Sequence, residues 1–429
     1  MSYHYQYGNG TSWSPFQVWN AEDLNGVRYH MDAYFIQMDH INLQNWNWLP
    51  IGSQDWTEGI TNWGYHWEGF TGAYDGNFKK ILNLTISYFN IYRRNINGVG
   101  LFSCIRGGSF PKEYNIRNLI LENVNFKFSA LDSNSRVGVS DMGGLVGYMD
   151  YDTTIESCSV QGVIEVIADD TNYVGLIGMF VGSSYGNIRT SMAKGKISMS
   201  GEYMYPSEIG GFSAWVFDGK VKNCYAQVDV QGNAWVAGFT SEIGQHACNG
   251  EVINCYSTGK VEIIPSGIYA DPENEAVSVA GFAAICSAGH KPLLVQNCFY
   301  DAETSQKPSV TFGDTPKKFA PDIHYGIPKT TLQMKDINTY LENDTICQSS
   351  SRCPIPACVP RPWDFDNVWG IHPMINGGYP FLKWERISGF SNIYTKINGI
   401  WRSIIQVWVK IQGEWKEVDM EDWVDPPSP

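Results

Sequence analysis

One short stretch recurs along the chain and restricts its fold more than any other feature. It couples small residues, mostly glycine, to a bulky apolar one. The copies are Val99-Gly100-Leu101-Phe102, Gly143-Gly144-Leu145-Val146-Gly147, Val174-Gly175-Leu176-Ile177-Gly178, Ile209-Gly210-Gly211-Phe212, Val236-Ala237-Gly238-Phe239 and Val279-Ala280-Gly281-Phe282. Behind most of them comes a second unit: Ile155-Glu156-Ser157-Cys158, Val221-Lys222-Asn223-Cys224-Tyr225, Val252-Ile253-Asn254-Cys255-Tyr256 and Val295-Gln296-Asn297-Cys298-Phe299. Ile116-Arg117-Asn118-Leu119 and Ile188-Arg189-Thr190-Ser191 are degenerate copies, and Cys158, Ser191 and Cys224 stand 33 residues apart. Self-similarity at a period of roughly 20 to 50 residues marks a solenoid, whose units bury their apolar faces only by stacking on their neighbours.

The repeats resemble the GLUG motif family, named for its Gly-Leu-small-Gly stretch, and the resemblance covers Asn20 to Trp384. Ala21-Glu22-Asp23-Leu24, Asn47-Trp48-Leu49-Pro50-Ile51-Gly52 and Phe70-Thr71-Gly72-Ala73-Tyr74-Asp75-Gly76-Asn77 look like the family's lead-in. Gly377-Gly378-Tyr379-Pro380-Phe381-Leu382-Lys383-Trp384 looks like its exit, while Phe78 stands where a third glycine is usual. The resemblance implies an all-β fold, a parallel β-helix or β-solenoid. It names no activity, because the family is a scaffold of adhesins, secreted proteins and phage virion proteins, and a fold alone does not specify function.

The expected organisation is an N-terminal arm over 1–20, then a cap and first coils over 21–81, with an aromatic insertion at 53–69. The GLUG-type solenoid follows over 82–304, a C-terminal capping segment with a cysteine-containing insertion over 305–386, and a β-hairpin tail over 387–429. Ala21 to Asn25 carries a short helical signal, and Tyr34-Phe35-Ile36-Gln37-Met38 alternates as a strand. Turn-rich excursions at Ser129 to Asp141, Gly201 to Glu208 and Pro265 to Ala276 read as loops projecting from the solenoid. Thr330 to Asp336 resembles the short helix that follows the repeats in the family.

With 43 glycines, 20 prolines and only 17% charged residues, the chain suits an all-β protein rich in tight turns. The net charge of −14 argues against a nucleic-acid partner and would repel an acidic polysaccharide unless a local basic patch or a bridging cation helped. Polar residues follow Met1, and no apolar run reaches the length of a membrane span. Synthesis in the cytoplasm and delivery without a signal peptide are expected.

Cys158, Cys224, Cys255 and Cys298 share one repeat position and should stack as a ladder of reduced, buried thiols. Asn118, Asn223, Asn254 and Asn297 should stack beside them, since asparagine tolerates the left-handed conformation of a tight bend. Cys347, Cys353 and Cys358 match no zinc spacing. His246 with Cys248, and Cys286 with His290, read as loop histidines beside core cysteines. Neither a metal nor a cofactor is expected.

The aromatic insertion holds Asp55, Trp56, Glu58, Trp63, His66, Trp67 and Glu68. Insertions on a rigid coil commonly carry binding residues. Indoles and carboxylates together suit a sugar, whose C–H face stacks on the ring while its hydroxyls bond the acid. A flap of tryptophans closing the solenoid end explains the same residues equally well. Glycan cleavage would need two acids across a cleft, one with a raised pKa. Asp55, Glu58, Glu68, Asp169 and Asp170 are candidates, but they form no motif, so no catalytic residue is assigned.

Ile393-Tyr394-Thr395-Lys396-Ile397-Asn398-Gly399-Ile400-Trp401-Arg402 and Val407-Trp408-Val409-Lys410-Ile411-Gln412-Gly413-Glu414-Trp415-Lys416 are two copies of one unit. Asn398-Gly399 signals a two-residue hairpin turn. The unit is similar to short repeats at the ends of bacteriophage virion proteins. The sequence therefore reads as a virion appendage such as a tail fibre or spike, contacting other virion proteins and a host-surface polysaccharide or receptor. Assembly as a homotrimer follows by analogy with other phage appendages. A polysaccharide-cleaving tailspike and a bacterial surface adhesin remain as alternatives.

Overall fold

Four sheets run side by side along the molecule, and in each the strands stack in parallel from one coil to the next. The structure is a computed structural model that describes residues 3–44, 46, 48–52, 69–87, 98–108, 112–129, 138–167, 173–200, 207–244, 250–264, 278–286, 294–307, 311–312, 326–341, 347–348 and 362–386, and strands at 394–397, 400–403, 408–411 and 414–417. Each full coil visits the sheets in turn. Sheet 1 holds the glycine motif: Gly98–Val99, Gly138–Gly143, Tyr173–Gly178, Glu208–Gly210, Trp235–Ala237 and Ser278–Ala280. Sheet 2 follows it with Phe102–Ile105, Val146–Met149, Val181–Ser184, Ser213–Val216, Thr240–Ile243 and Ala283–Cys286. Sheet 3 carries the strands before the cysteines, such as Thr154–Glu156 and Lys220–Lys222. Sheet 4 holds the longest strands, Ile120–Ser129, Ser159–Ile167, Met192–Ser200 and Tyr225–Gly232. This is the all-β parallel β-helix expected from the repeat.

The registers show why the motif has its composition. Met142-Gly143 lies beside Val99-Gly100 and Ile177-Gly178, then Ile209-Gly210, Val236-Ala237 and Val279-Ala280. One copy is corrected by this register. The coil partner of Gly143 is Gly178, three residues beyond the Gly175 of the sequence alignment, so the stacked unit is Ile177-Gly178-Met179-Phe180. The bulky residue after the small pair points inward, and Phe180, Phe212, Phe239 and Phe282 form one stack with centroid spacings of 4.7, 5.0 and 4.8 Å. Each stacked pair adds about 0.5–1.5 kcal/mol beyond the area it buries.

At the corner between sheets 3 and 4 the chain turns through one left-handed residue per coil. Asn118, Ser157, Thr190, Asn223, Asn254 and Asn297 have φ between 47° and 54°. Their amides donate to the next coil, as Asn223 N does to Ile253 O at 3.0 Å. The asparagine side chains form no single ladder, because Asn118 Nδ2 donates to Asp75 and Asn223 Oδ1 accepts from Trp369. Cys158, Cys224, Cys255 and Cys298 are free and buried, with Ser191 on the coil between the first two, and burial raises the Cys158, Cys255 and Cys298 thiols.

The ends differ from the expectation in one respect. Residues 3–18 do not stand off as an arm: Phe16–Val18 is the first strand of sheet 3, and Tyr5 stacks on Phe16 at 4.6 Å and approaches Phe35 edge-on. An open coil edge and its apolar rings are better covered than left in water. The helix over Ala21–Gly26 is present, capped by the Asn20 side chain. At the other end Thr311–Phe312 and Cys347–Gln348 add antiparallel strands to sheets 1 and 3, and Ile327–Lys329 extends sheet 4.

Residues 362–386 then run back along the outer face of sheet 4. Trp363, Trp369, Tyr379 and Leu382 pack on Met192, Tyr225, Tyr256 and Phe299. Three indoles anchor this strap at the bends: Trp363 Nε1 donates to Asn297 O (3.1 Å), Trp369 Nε1 to Asn223 Oδ1 (3.4 Å) and Trp384 Nε1 to Thr190 O (2.7 Å). The half-buried Glu385 accepts from Tyr225 Oη at 2.9 Å and Leu382 N at 2.7 Å. Trp369→Ala should cost about 3 kcal/mol. Limited proteolysis should then cut the strap while the repeats survive, and a strap that stays protected would show that Trp369 does not hold it. Beyond the strap, Tyr394–Ile397 with Ile400–Ser403, and Trp408–Ile411 with Glu414–Glu417, form the two expected hairpins.

Candidate functional site

Asp55, Trp56, Glu58, Trp63, His66, Trp67 and Glu68 all lie outside the described residues, as do Asp169, Asp170, His246, Cys248 and His290. The flanks of the aromatic insertion are described: Ile51 bridges Phe102 and Phe70 bridges Ile105, so the insertion leaves and rejoins the chain at the first edge of sheet 2. Among the described residues no cluster of histidine, cysteine and acids could hold a metal ion, and no helix is long and apolar enough to cross a membrane.

Sheets 1 and 2 meet at a concave corner where their outward faces approach. A Cβ on Gly98 would stand 3.2 Å from Gly147 Cα, and one on Gly182 would stand 2.7 Å from Met142 N. Small residues line the bottom of this corner, and larger side chains line its walls. On sheet 1 the wall column runs Gly98, Asp141, Leu176, Glu208, Trp235, Ser278. On sheet 2 it runs Cys104, Tyr148, Ser183, Trp215, Glu242.

In the middle of the corner the two columns interlock. Glu208 is followed along sheet 1 by Trp235, and Trp215 along sheet 2 by Glu242. Across the corner, Trp215 Nε1 donates to Glu208 Oε2. Two carboxyls and two indoles thus alternate in a checkerboard. Glu208 and Glu242 are 7% and 4% exposed, whereas Trp215 and Trp235 are half-buried. Burial, and then the charge of Glu242, push the Glu208 carboxyl up to about 10. It therefore holds its proton at neutral pH. A carboxylic acid in that state donates a hydrogen bond as well as accepting one.

Aromatic rings continue the surface toward the start of the solenoid. Tyr185 stacks on Phe217 at 4.4 Å and meets Tyr151 at 4.7 Å, Trp215 meets Phe217 edge-on at 4.3 Å, and Tyr148 lies 5.7 Å from Tyr185. Asp141, also buried, accepts from Ser183 Oγ. Asp150 pairs with Arg106 at 3.0 Å. Burial raises the Tyr148 phenol, which therefore stays protonated.

None of these residues was singled out from the sequence. Asp141 and Glu208 were placed at the ends of projecting loops; the structure puts both inside sheet 1 strands, buried. A signal was present: each wall residue of sheet 1 directly precedes the apolar residue of the motif. From Asp141 on, its sheet 2 counterpart stands seven positions later, as in Asp141 and Tyr148, Glu208 and Trp215, or Trp235 and Glu242.

Compared with known protein families the chain matches none, and no curated protein matches it. Among solved structures it is similar to that of a putative immunoglobulin A1 protease from Bacteroides ovatus, at 16% identity and a TM-score of 0.44, over 89% of this chain and 95% of that one. A likeness that distant brings no activity with it.

Proposed function

We propose that this protein is an attachment appendage of a phage particle, a tail fibre, spike or similar structure, which holds a host-surface polysaccharide along the corner between sheets 1 and 2. The observation that carries the reading is the checkerboard of Glu208, Trp215, Trp235 and Glu242 on the facing walls of the corner, continued by aromatic rings. Half-exposed indoles offer flat faces to the C–H side of a pyranose, and the carboxyls beside them bond its hydroxyls. Successive coils stand about 4.8 Å apart, so a polymer lying along the corner passes one pair of wall residues per coil. Support for a phage origin comes from the resemblance of the terminal hairpin units to short repeats at the ends of virion proteins.

The test is retention of purified protein on host-type surface polysaccharide. Replacing both Trp215 and Trp235 by alanine should weaken retention at least about tenfold, as loss of central aromatic anchors does. Unchanged retention would remove the corner from the binding surface. One observation favours polysaccharide cleavage as a second reading: Glu208 holds a proton beside a second carboxyl, the arrangement an acid-catalysed glycoside cleavage uses. Steady release of reducing ends, lost in Glu208→Gln while binding persists, would establish it.

A further inference from the structure

Charge is missing from one part of this acidic chain. Residues 1–21 contain no Asp, Glu, Lys or Arg, although these make up 17% of the sequence and leave it at −14; the first charged residue is Glu22. Aromatic rings take their place at the surface. Among the described residues the exposed aromatics are Tyr7, Trp13, Trp19, Tyr29 and Tyr151, so three of the five belong to the uncharged stretch. The stretch is also braced. Gln17 N donates to Tyr7 O at 3.1 Å, and Asn9 N and Gly10 N donate to Ser14 O at 2.9 and 3.0 Å, which folds residues 7–17 back on themselves at the first strand of sheet 3. Tyr34 N donates to Gly10 O at 2.9 Å and ties the turn to the strand Tyr34–Gln37. Trp13 rides on this turn and is 89% exposed. Tyr7 and Trp19 flank Gln17, whose Oε1 accepts from Trp19 Nε1 at 3.2 Å. Rings fixed at an uncharged surface among amides and hydroxyls have the composition of a contact site.

The groups present select the partner. Rings stack on rings, while the amides of Gln6, Asn9 and Gln17 and the hydroxyls of Thr11 and Ser12 both donate and accept hydrogen bonds. Each can therefore face its own copy. In a two-fold contact a residue near the axis meets its equivalent, so a charged side chain there would meet like charge. Two copies at −14 repel each other, and the repulsion is least through a face that bears no charge. A basic or acidic partner would find nothing here to pair with. The adjoining acid, Asp23, is already held by Tyr3 Oη at 2.5 Å and Trp19 N at 2.9 Å. We propose that this surface is a two-fold contact between two copies of the chain, with Tyr7, Trp13 and Trp19 as its aromatic anchors. The assembly is then a dimer in place of the trimer that analogy suggests, and the contact uses none of the residues that line the corner between sheets 1 and 2.

Sedimentation equilibrium of the full chain across micromolar concentrations tests this. The mass should follow a monomer–dimer equilibrium and stop at two copies, because an isologous contact closes. Trp13→Ser should weaken the dimer at least about tenfold, the loss expected for an aromatic anchor, and adding Trp19→Ser should leave monomer alone. Both side chains are exposed, so far-ultraviolet circular dichroism should match the wild type. Raising the salt from about 0.05 to about 0.5 M should leave the dimer unchanged or tighten it, since screening relieves the repulsion between two acidic copies. Leu332→Ser, at a side chain 81% exposed on the short helix Thr331–Met334, is the control and should leave the mass unchanged. A monomer at every concentration would overturn the proposal, as would growth to trimers or longer polymers. A dimer that salt dissociates, one that survives the double tryptophan variant, or one lost in Leu332→Ser would place the contact on another, charged or distant face and overturn it equally.

Discussion

Gly238→Val should break the solenoid in its middle. A Cβ at Gly238 would stand 2.2 Å from Gly281 O, and one at Gly211 would stand 2.1 Å from Gly238 O. Both obstacles are backbone atoms of the next coil, fixed by the ladder that joins the coils, so no side-chain rotation relieves the clash. None of these glycines has positive φ; the demand is for space alone. The expected loss is at least about 4 kcal/mol, in the range reserved for severe core defects. Contacts in a solenoid run mainly between neighbouring coils, so the halves on either side should melt separately. Denaturant unfolding followed by tryptophan fluorescence would show a lower midpoint and two phases. The exposed Lys222→Ala serves as control, with a change within about 0.5 kcal/mol. A single transition at the wild-type midpoint would mean that the coils can spread, and the steric account of the motif would be wrong.

Glu208→Gln should change how stability depends on pH. In the native chain the Glu208 carboxyl titrates near 10, against an ordinary value of 4.5. Between those values the folded state keeps a proton that the unfolded chain has released. The contribution is therefore complete below about pH 4.5 and is lost as pH climbs toward the folded value, with a slope approaching about 1.4 kcal/mol per pH unit. Glutamine cannot ionise, yet its amide oxygen still accepts from Trp215 Nε1. The variant should equal or trail the wild type at pH 4.5 and exceed it in melting temperature at pH 8. Glu385 is raised by burial as well and acts in the same direction, so the slope should shrink without vanishing. Parallel melting-temperature profiles for variant and wild type would show that Glu208 is already ionised in the folded protein.

The two tests probe features that differ in how far local pattern reveals them. The coil period, the inward Val, Ile and Phe positions and the left-handed bend at Asn223 and its equivalents could be read in the chain, because each repeats at fixed spacing and each has a local cause. The hairpin strands at 394–417 were legible for the same reason, since a two-residue turn sets the register of the strands beside it. Residues 3–18 were harder, because their role depends on the uncovered Phe35 edge of the first coil. The strap could not be anticipated either: Trp363, Trp369 and Trp384 carry no periodicity that points to bends as far back as Thr190.

The candidate site follows the same division. Glu208 and Trp235, or Trp215 and Glu242, are 27 residues apart in the chain and become neighbours only through the coil register. In the sequence Glu208 ends a polar loop, and nothing local separates it from a solvated acid. Its burial comes from the way sheets 1 and 2 fold toward each other over small residues. Sequence alone determined that the chain stacks into a parallel β-solenoid, because short-range alternation and a repeating glycine corner leave little else for it to form. Only the tertiary structure decided which outward side chains meet, where the C-terminal strap lies and which carboxyl is buried enough to keep its proton, because those depend on distances between coils that no local pattern encodes.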